Sequence, residues 1–265
     1  MSNYVSTTGL VLRETAYKDS SKILTVLTGT EGKLTVSARG ALRKNSRLAA
    51  AAQLLVFSEM TLYSNRDRWT LTEARSIEQF QGLRGDVVLL ALGSYFAELT
   101  EAAADEDSPN PELMPLCLNA LFALSEGLKT PGEVKPAFEL RLMATAGLAP
   151  QLMRCAVCGK AMQDGVEQSD AARYGAVQDG AERDYAYLDL SGGSVKCREH
   201  AVPNSAALSH SAVNAANYII SCNPKKLLSF ELGETALKEL CEASEQYLLT
   251  QFDRKFRTLD YYRKL

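Results

Sequence analysis

The stretch Lys22-Ile-Leu-Thr-Val-Leu-Thr-Gly-Thr-Glu-Gly-Lys-Leu-Thr-Val-Ser37 decides how the N-terminal third folds. Two β-rich runs, residues 22–28 and 33–37, flank the connection Gly29-Thr30-Glu31-Gly32. Branched side chains suit a pleated surface and the Gly-bearing link has hairpin length, so the stretch predicts two paired strands. Working outward, Thr8, Leu10 and Leu12 alternate with Gly9, Val11 and Arg13, and residues 54–63 and 68–75 surround the turn formers Ser64-Asn65-Arg66-Asp67. Five short strands within about 75 residues close most economically on one another. Residues 1–80 are therefore expected to form a five-stranded OB-fold barrel.

Near Gly82-Leu83-Arg84 the apolar period changes from 2 to 3.6, and residues 87–99, 112–128 and 133–146 read as helices. Residues 113–124 are apolar almost all round, which suits a helix buried on most faces but too short to cross a bilayer. Gly147-Leu-Ala-Pro150 punctuates the third helix. Helices resume at Ser209, where Leu237, Leu240, Cys241, Ser244, Tyr247, Leu248 and Phe252 mark one face. Cys222 and Cys241 then read as core residues. The expected class is α+β and multi-domain: a barrel at 1–80, an all-α helical domain at 81–150 plus 205–265, and a small metal module at 151–204.

At 265 residues, 46% apolar and 23% charged, the composition excludes disordered, collagen-like and coiled-coil classes. Neither a signal peptide nor a membrane span is read, so a cytoplasmic protein is expected. The net charge of −3 is unevenly placed: +4 over residues 1–80, −6 over 81–151 and −1 over 152–265. The most basic stretch holds Lys33, Arg39, Arg43, Lys44 and Arg47 with no acid between its ends. Taken alone, such a run is a solvated face.

Residues 151–204 are rich in glycine and poor in long apolar runs, so they bury little and need a staple. Cys155-Ala-Val-Cys158 and Cys197-Arg-Glu-His200 supply it as a CxxC and a CxxH pair separated by 38 residues. Two intervening residues let a tight turn aim both donors at one ion, and three thiolates with one imidazole suit tetrahedral zinc; the alternative is buried free thiols. Four protein ligands leave no open position, so the expected zinc is single and structural. His210 reads as an ordinary helix-start residue.

Catalytic patterns are missing. There is no Gly-x-Ser-x-Gly elbow, no Walker A loop, and no His-x-Glu with which a zinc deaminase would work. Gly192-Gly193 and the Gly82/Gly85 pair read as turns. A binding protein is expected, not an enzyme.

The run Phe138-Glu-Leu-Arg-Leu-Met-Ala-Thr-Ala-Gly-Leu-Ala-Pro-Gln-Leu152, followed by Cys155-Ala-Val-Cys158-Gly, resembles the middle of RecO, a bacterial recombination mediator family. Thr8-Gly-Leu-Val-Leu, Asp19-Ser-Ser-Lys-Ile-Leu-Thr-Val-Leu-Thr28 and Ala38-Arg39-Gly40 with Arg43-Lys44-Asn-Ser46 resemble its opening. Tyr187-Leu-Asp-Leu-Ser-Gly-Gly-Ser-Val-Lys-Cys197 and Phe256-Arg-Thr-Leu-Asp-Tyr261 continue the similarity to the end. Two departures stand out: His200 where many relatives have cysteine, and residues 164–184, which look like an insertion.

The resemblance implies a non-enzymatic DNA repair and recombination protein of the RecFOR pathway, nucleoid-associated during repair. Such proteins bind single- and double-stranded DNA, anneal complementary strands, interact with RecR and often with single-stranded-DNA-binding protein, and help load RecA. With an OB-fold in place, Lys33, Arg39, Arg43, Lys44 and Arg47 are expected to contact DNA phosphates. Arg66 and Arg68 join them as backbone contacts. Tyr63 and Trp69 either stack on bases or belong to the barrel core. The competing reading is a zinc-stapled protein-interaction module, transcriptional in character, without strand annealing.

Overall fold

Strands β1 (Tyr4–Tyr17), β2 (Ser21–Thr28), β3 (Lys33–Ala38), β4 (Phe57–Asn65) and β5 (Arg68–Glu78) fold around one core through buried side chains that alternate along β3 and β4 and are continuous over parts of β1 and β2. The strands close in the order β1-β2-β3-β5-β4. This computed structural model describes residues 4–66, 68–106, 108–162 and 185–265. The expected insertion at 164–184, together with Asp67 and Asp107, lies outside the described residues. All pairings are antiparallel except β3 with β5, where Val36 lies opposite Trp69 and Ser37 opposite Thr70. Val11, Leu24, Val26, Leu34, Val36, Met60, Leu62 and Leu71 fill the OB barrel.

Closure depends on β1, which pairs with β4 through Tyr4–Leu10 and with β2 through Gly9–Tyr17, its register shifting between Val11 and Arg13. Gly9 belongs to both ladders. A Cβ there would lie 2.6 Å from Val26 Cγ1 and 2.9 Å from Met60 Sδ, so only glycine permits the strand's two partners to approach.

The fourth strand begins at Phe57 rather than at Leu54, a correction with a clear cause. Residues 39–56 run as successive turns, with Arg43 N donating to Gly40 O at 3.0 Å, Ser46 N to Arg43 O at 3.0 Å and Ala52 N to Leu48 O at 2.9 Å. Leu55 takes φ 61°, which ends the turns and breaks any earlier strand. Ala41 and Ala52 enter the barrel core and Leu48 packs against it. Small side chains let the turns lie close on the barrel, so this segment is seated rather than free.

The described chain divides into two compact units, 1–128 with 256–265, and 129–255. The expected division at 80/81, 150/151 and 204/205 follows changes of element type, whereas these units follow packing. In the first unit the barrel is joined by α1 (Gln81–Arg84), α2 (Val87–Ala103) and α3 (Leu113–Ser125). Asp86 caps α2 by accepting from Val88 N at 2.7 Å and Leu89 N at 3.2 Å. Arg13 pairs with Glu101 of α2 at 2.8 Å.

The second unit opens with α4 (Pro131–Thr145), whose capping box joins Thr130 and Glu133 with Pro131 at the first turn. Strands β6 (Ala186–Asp189), β7 (Ser194–Lys196) and β8 (Ser205–Leu208) form a small sheet in the order β7-β6-β8. Helices α5 (His210–Ser221) and α6 (Glu234–Phe252) complete it. Leu240, Ala243, Ser244, Tyr247 and Leu248 form the buried face of α6, while Cys241 and Cys222 are half-buried, not central core. Lys135 of α4 bridges Glu139 and Glu245 at 2.8 Å each, and Ser244 Oγ donates to Glu139 at 2.6 Å, so this buried charge cluster is paired. The chain returns to the first unit at Phe256, where α7 (Arg257–Tyr262) begins.

Candidate metal centre and nucleic-acid face

Cys155 and Cys158 sit in a knuckle that the backbone closes on itself. Gly159 N donates to Cys155 O at 2.9 Å and Cys155 N to Lys160 O at 2.8 Å. Gly159 takes φ 73°, a left-handed turn position that glycine adopts without strain. Ladder-like bonds, Gln151 N to Gly193 O at 2.8 Å, Val195 N to Gln151 O at 2.9 Å and Ala156 N to Val195 O at 3.0 Å, stitch the knuckle to the β6–β7 hairpin. That hairpin ends at Cys197. A single 3-10 turn, Arg198–His200, then brings His200 back, with His200 N donating to Cys197 O at 2.9 Å.

The four donors converge. Cys155 Sγ lies 3.8 Å from His200 Nδ1, Cys158 Sγ 3.8 Å from Cys197 Sγ, and Cys197 Sγ 3.1 Å from His200 Nδ1. All four atoms fall within 4.8 Å of one another. Ligands about 2.1–2.3 Å from a tetrahedral ion stand about 3.6–3.8 Å apart, so the two 3.8 Å spacings match such an ion, the 3.1 Å pair would open by about half an ångström around it, and the donor set could hold one metal ion. Burial pushes the Cys155 thiol up, but N–H groups of Cys158, Cys197 and Val157 and the neighbouring Cys158 thiol outweigh it and bring the group down to about 6. The knuckle therefore stabilises a thiolate before any cation is counted. Cys197 is shifted upward, by burial and by its two thiol neighbours. His210 stands apart as the first residue of α5.

The expected nucleic-acid residues are not equivalent. Arg39, Arg43, Lys44 and Arg47 are all exposed on the seated turns. Lys33 differs: its Nζ donates to Glu101 O at 3.0 Å, at the end of α2. Arg66 and Arg68 are exposed at the β4–β5 hairpin end, where Asn65 pairs with Arg68. The first β5 residues pair with β3, the strand that leads into Arg39. The two aromatics part company. Trp69 is half-buried and packs against the barrel core, whereas Tyr63 lies on the outer face against Tyr4, ring centroids 5.0 Å apart.

A contact that sequence reasoning missed joins the basic turns to the β1–β2 hairpin end. Leu42 N donates to Ser20 O at 2.9 Å and Gly40 N to Ser21 Oγ at 3.3 Å. The only local signal was the pair of serines at a turn, which hydrogen-bond to backbone wherever one is near.

Comparison with known proteins agrees along the whole length. The family described as Recombination protein O N terminal matches residues 1–80, and Recombination protein O C terminal matches residues 84–260. A DNA repair protein RecO from Acetivibrio thermocellus is 29% identical over 263 residues, 99% of this chain and 98% of the relative. One from Caldicellulosiruptor bescii is 27% identical over 259 residues, 98% of each chain. One from Listeria monocytogenes is 36% identical over 152 residues, 57% of this chain and 59% of the relative.

Proposed function

The chain belongs to the RecO family of DNA repair proteins, and from that membership we propose that it is a non-enzymatic recombination mediator that binds single- and double-stranded DNA and anneals complementary strands. The observation that carries this reading is the row of exposed cations Arg39, Arg43, Lys44 and Arg47, held on a closed OB barrel by the buried Ala41 and Ala52. Cations on a fixed surface neutralise phosphates and release counterions, which binds nucleic acid without reading its bases. Two strands neutralised on one protein repel each other less, so annealing follows with no bond made or broken in the protein. Arg66 and Arg68 extend the contact, and Lys33 supports the surface through α2. RecR, single-stranded-DNA-binding protein and RecA are the expected partners in the cytoplasm.

Cys155, Cys158, Cys197 and His200 would hold one zinc ion, which when bound supplies cross-links and no reaction. The role of this chain's own residues there is positional: the knuckle and the β6–β7 hairpin are fixed to each other.

The deciding experiment measures binding and annealing of complementary oligonucleotides across a salt series. Arg39→Glu with Arg43→Glu and Lys44→Glu should make the slope of log affinity against log salt shallower by about 2 for single strands and abolish annealing. An unchanged slope would remove the assignment, and absence of binding by the parent chain at low salt would favour the zinc-stapled interaction module.

A further inference from the structure

The β1–β2 hairpin end carries an arrangement that phosphate binding does not use. Tyr17 pairs with Ser21, leaving Lys18, Asp19 and Ser20 as the connecting turn. Tyr17 is 47% exposed and Leu42, bonded beside the turn through its own N–H, is 46% exposed. Lys18 takes φ 53°, the left-handed region that a side chain adopts only under constraint, and its Nζ stands 5.3 Å from the Tyr17 ring centroid.

Isolated exposed apolar side chains are ordinary. These two are distinguished by their setting. The bonds from Gly40 N to Ser21 Oγ and from Leu42 N to Ser20 O tie the turn directly to the segment carrying Arg39, Arg43 and Lys44. An aromatic ring and an aliphatic side chain therefore border a row of cations, with Asp19 as the acid in the turn. A phosphate backbone tracking along those cations brings its bases within the span of neighbouring side chains. A base stacks on such a surface only when its face is free, which holds for a single strand and not for a duplex whose bases are already stacked.

We propose that Tyr17 and Leu42, with Lys18 over one face of the Tyr17 ring, form a base-stacking platform that selects single-stranded DNA at the edge of the basic turns. This rests on the DNA-binding reading above and deepens it. Lys18 meets the phosphate next to the stacked base, while Arg39, Arg43 and Lys44 hold either form of DNA. The barrel's indole, Trp69, packs against the core and leaves the stacking role to the hairpin.

The test uses the full chain, Tyr17→Ala and Tyr17→Phe, with fluorescence anisotropy on a labelled oligothymidylate and on a duplex of equal length. Tyr17→Ala should weaken oligothymidylate binding about ten-fold, leaving duplex affinity and the salt slope unchanged. Tyr17→Phe should bind like the parent, because the ring remains. Equal affinity of Tyr17→Ala and parent for oligothymidylate, or equal weakening on both DNAs, overturns the platform while leaving DNA binding in place. Failure of the parent to bind either DNA overturns the DNA reading itself.

Discussion

Asp189 shows how one carboxylate organises the candidate metal site from a distance. Its Oδ1 accepts from Ser191 N at 3.1 Å and Gly192 N at 3.0 Å, closing the β6–β7 turn, and its Oδ2 accepts from Lys196 Nζ at 2.8 Å, one residue before Cys197. The Lys196 ammonium and the turn's N–H groups hold the Asp189 carboxyl below its usual range against the opposing effect of burial. A folded value below the unfolded one means that the contribution is fully present above about pH 4 and lost as pH falls through the folded value. Asp189→Asn should therefore lower the urea midpoint at neutral pH, by about 1 kcal/mol, and flatten the acid limb of the stability profile. A variant whose acid limb matched the parent's would show that the pair contributes nothing to folding.

At the scale of elements, α7 is fixed by a partner distant in sequence. Glu98 of α2 accepts from Thr258 N at 3.0 Å, from Arg257 N at 3.4 Å and from the Thr258 hydroxyl, satisfying the open N–H groups at the start of a six-residue helix. Phe256 is buried edge-on against Tyr95, centroids 6.1 Å apart. Glu98→Ala should cost about 1–2 kcal/mol, read as a lower urea midpoint, and an unchanged midpoint would show the cap to be idle. This capping was illegible in the sequence, because nothing local marks Glu98 as the partner of Thr258. The barrel strands were legible, since the branched, β-rich character of residues 22–28 and 33–37 is a local property, although only 33–37 buries alternate residues and Leu24 to Thr28 are all buried. So was the convergence of Cys155, Cys158, Cys197 and His200, because two-residue spacings survive a long gap between pairs: loop closure entropy grows slowly with length. The aromatics were not. Whether a ring on a strand faces in or out depends on register, and Trp69 and Tyr63 lie on neighbouring strands with opposite facing. Ser205–Leu208 was hidden too, a four-residue strand of Ser, two Ala and one Leu that pairs because β6 offers it an edge.

For the whole molecule, two units with separate cores divide the labour between different kinds of stabilisation. The barrel unit rests on closed strand pairing and a continuous apolar cluster. Residues 129–255 hold a three-stranded sheet of short strands, with the knuckle joined to it by three backbone bonds and the four metal donors. Strands this short form few ladder bonds, so an ion held by these donors would carry a larger share of their order. Metal removal should then act on one unit. Chelation of the full chain, followed by hydrogen exchange, should raise deuterium uptake at residues 151–162 and 185–208 and leave β2 and β3 protected, because none of the donors lies in the barrel. Cys155→Ser with Cys158→Ser should reproduce the same pattern without chelator and lose the bound metal. Uniform loss of protection across both units would make the ion a determinant of the entire fold, whereas unchanged uptake at the knuckle would mean that the backbone bonds alone hold it. Under the proposed DNA-binding reading, duplex binding by the chelated chain gives a second reading of the same division: it should persist, since Arg39, Arg43, Lys44 and Arg47 are exposed on turns whose Ala41 and Ala52 pack into the barrel core.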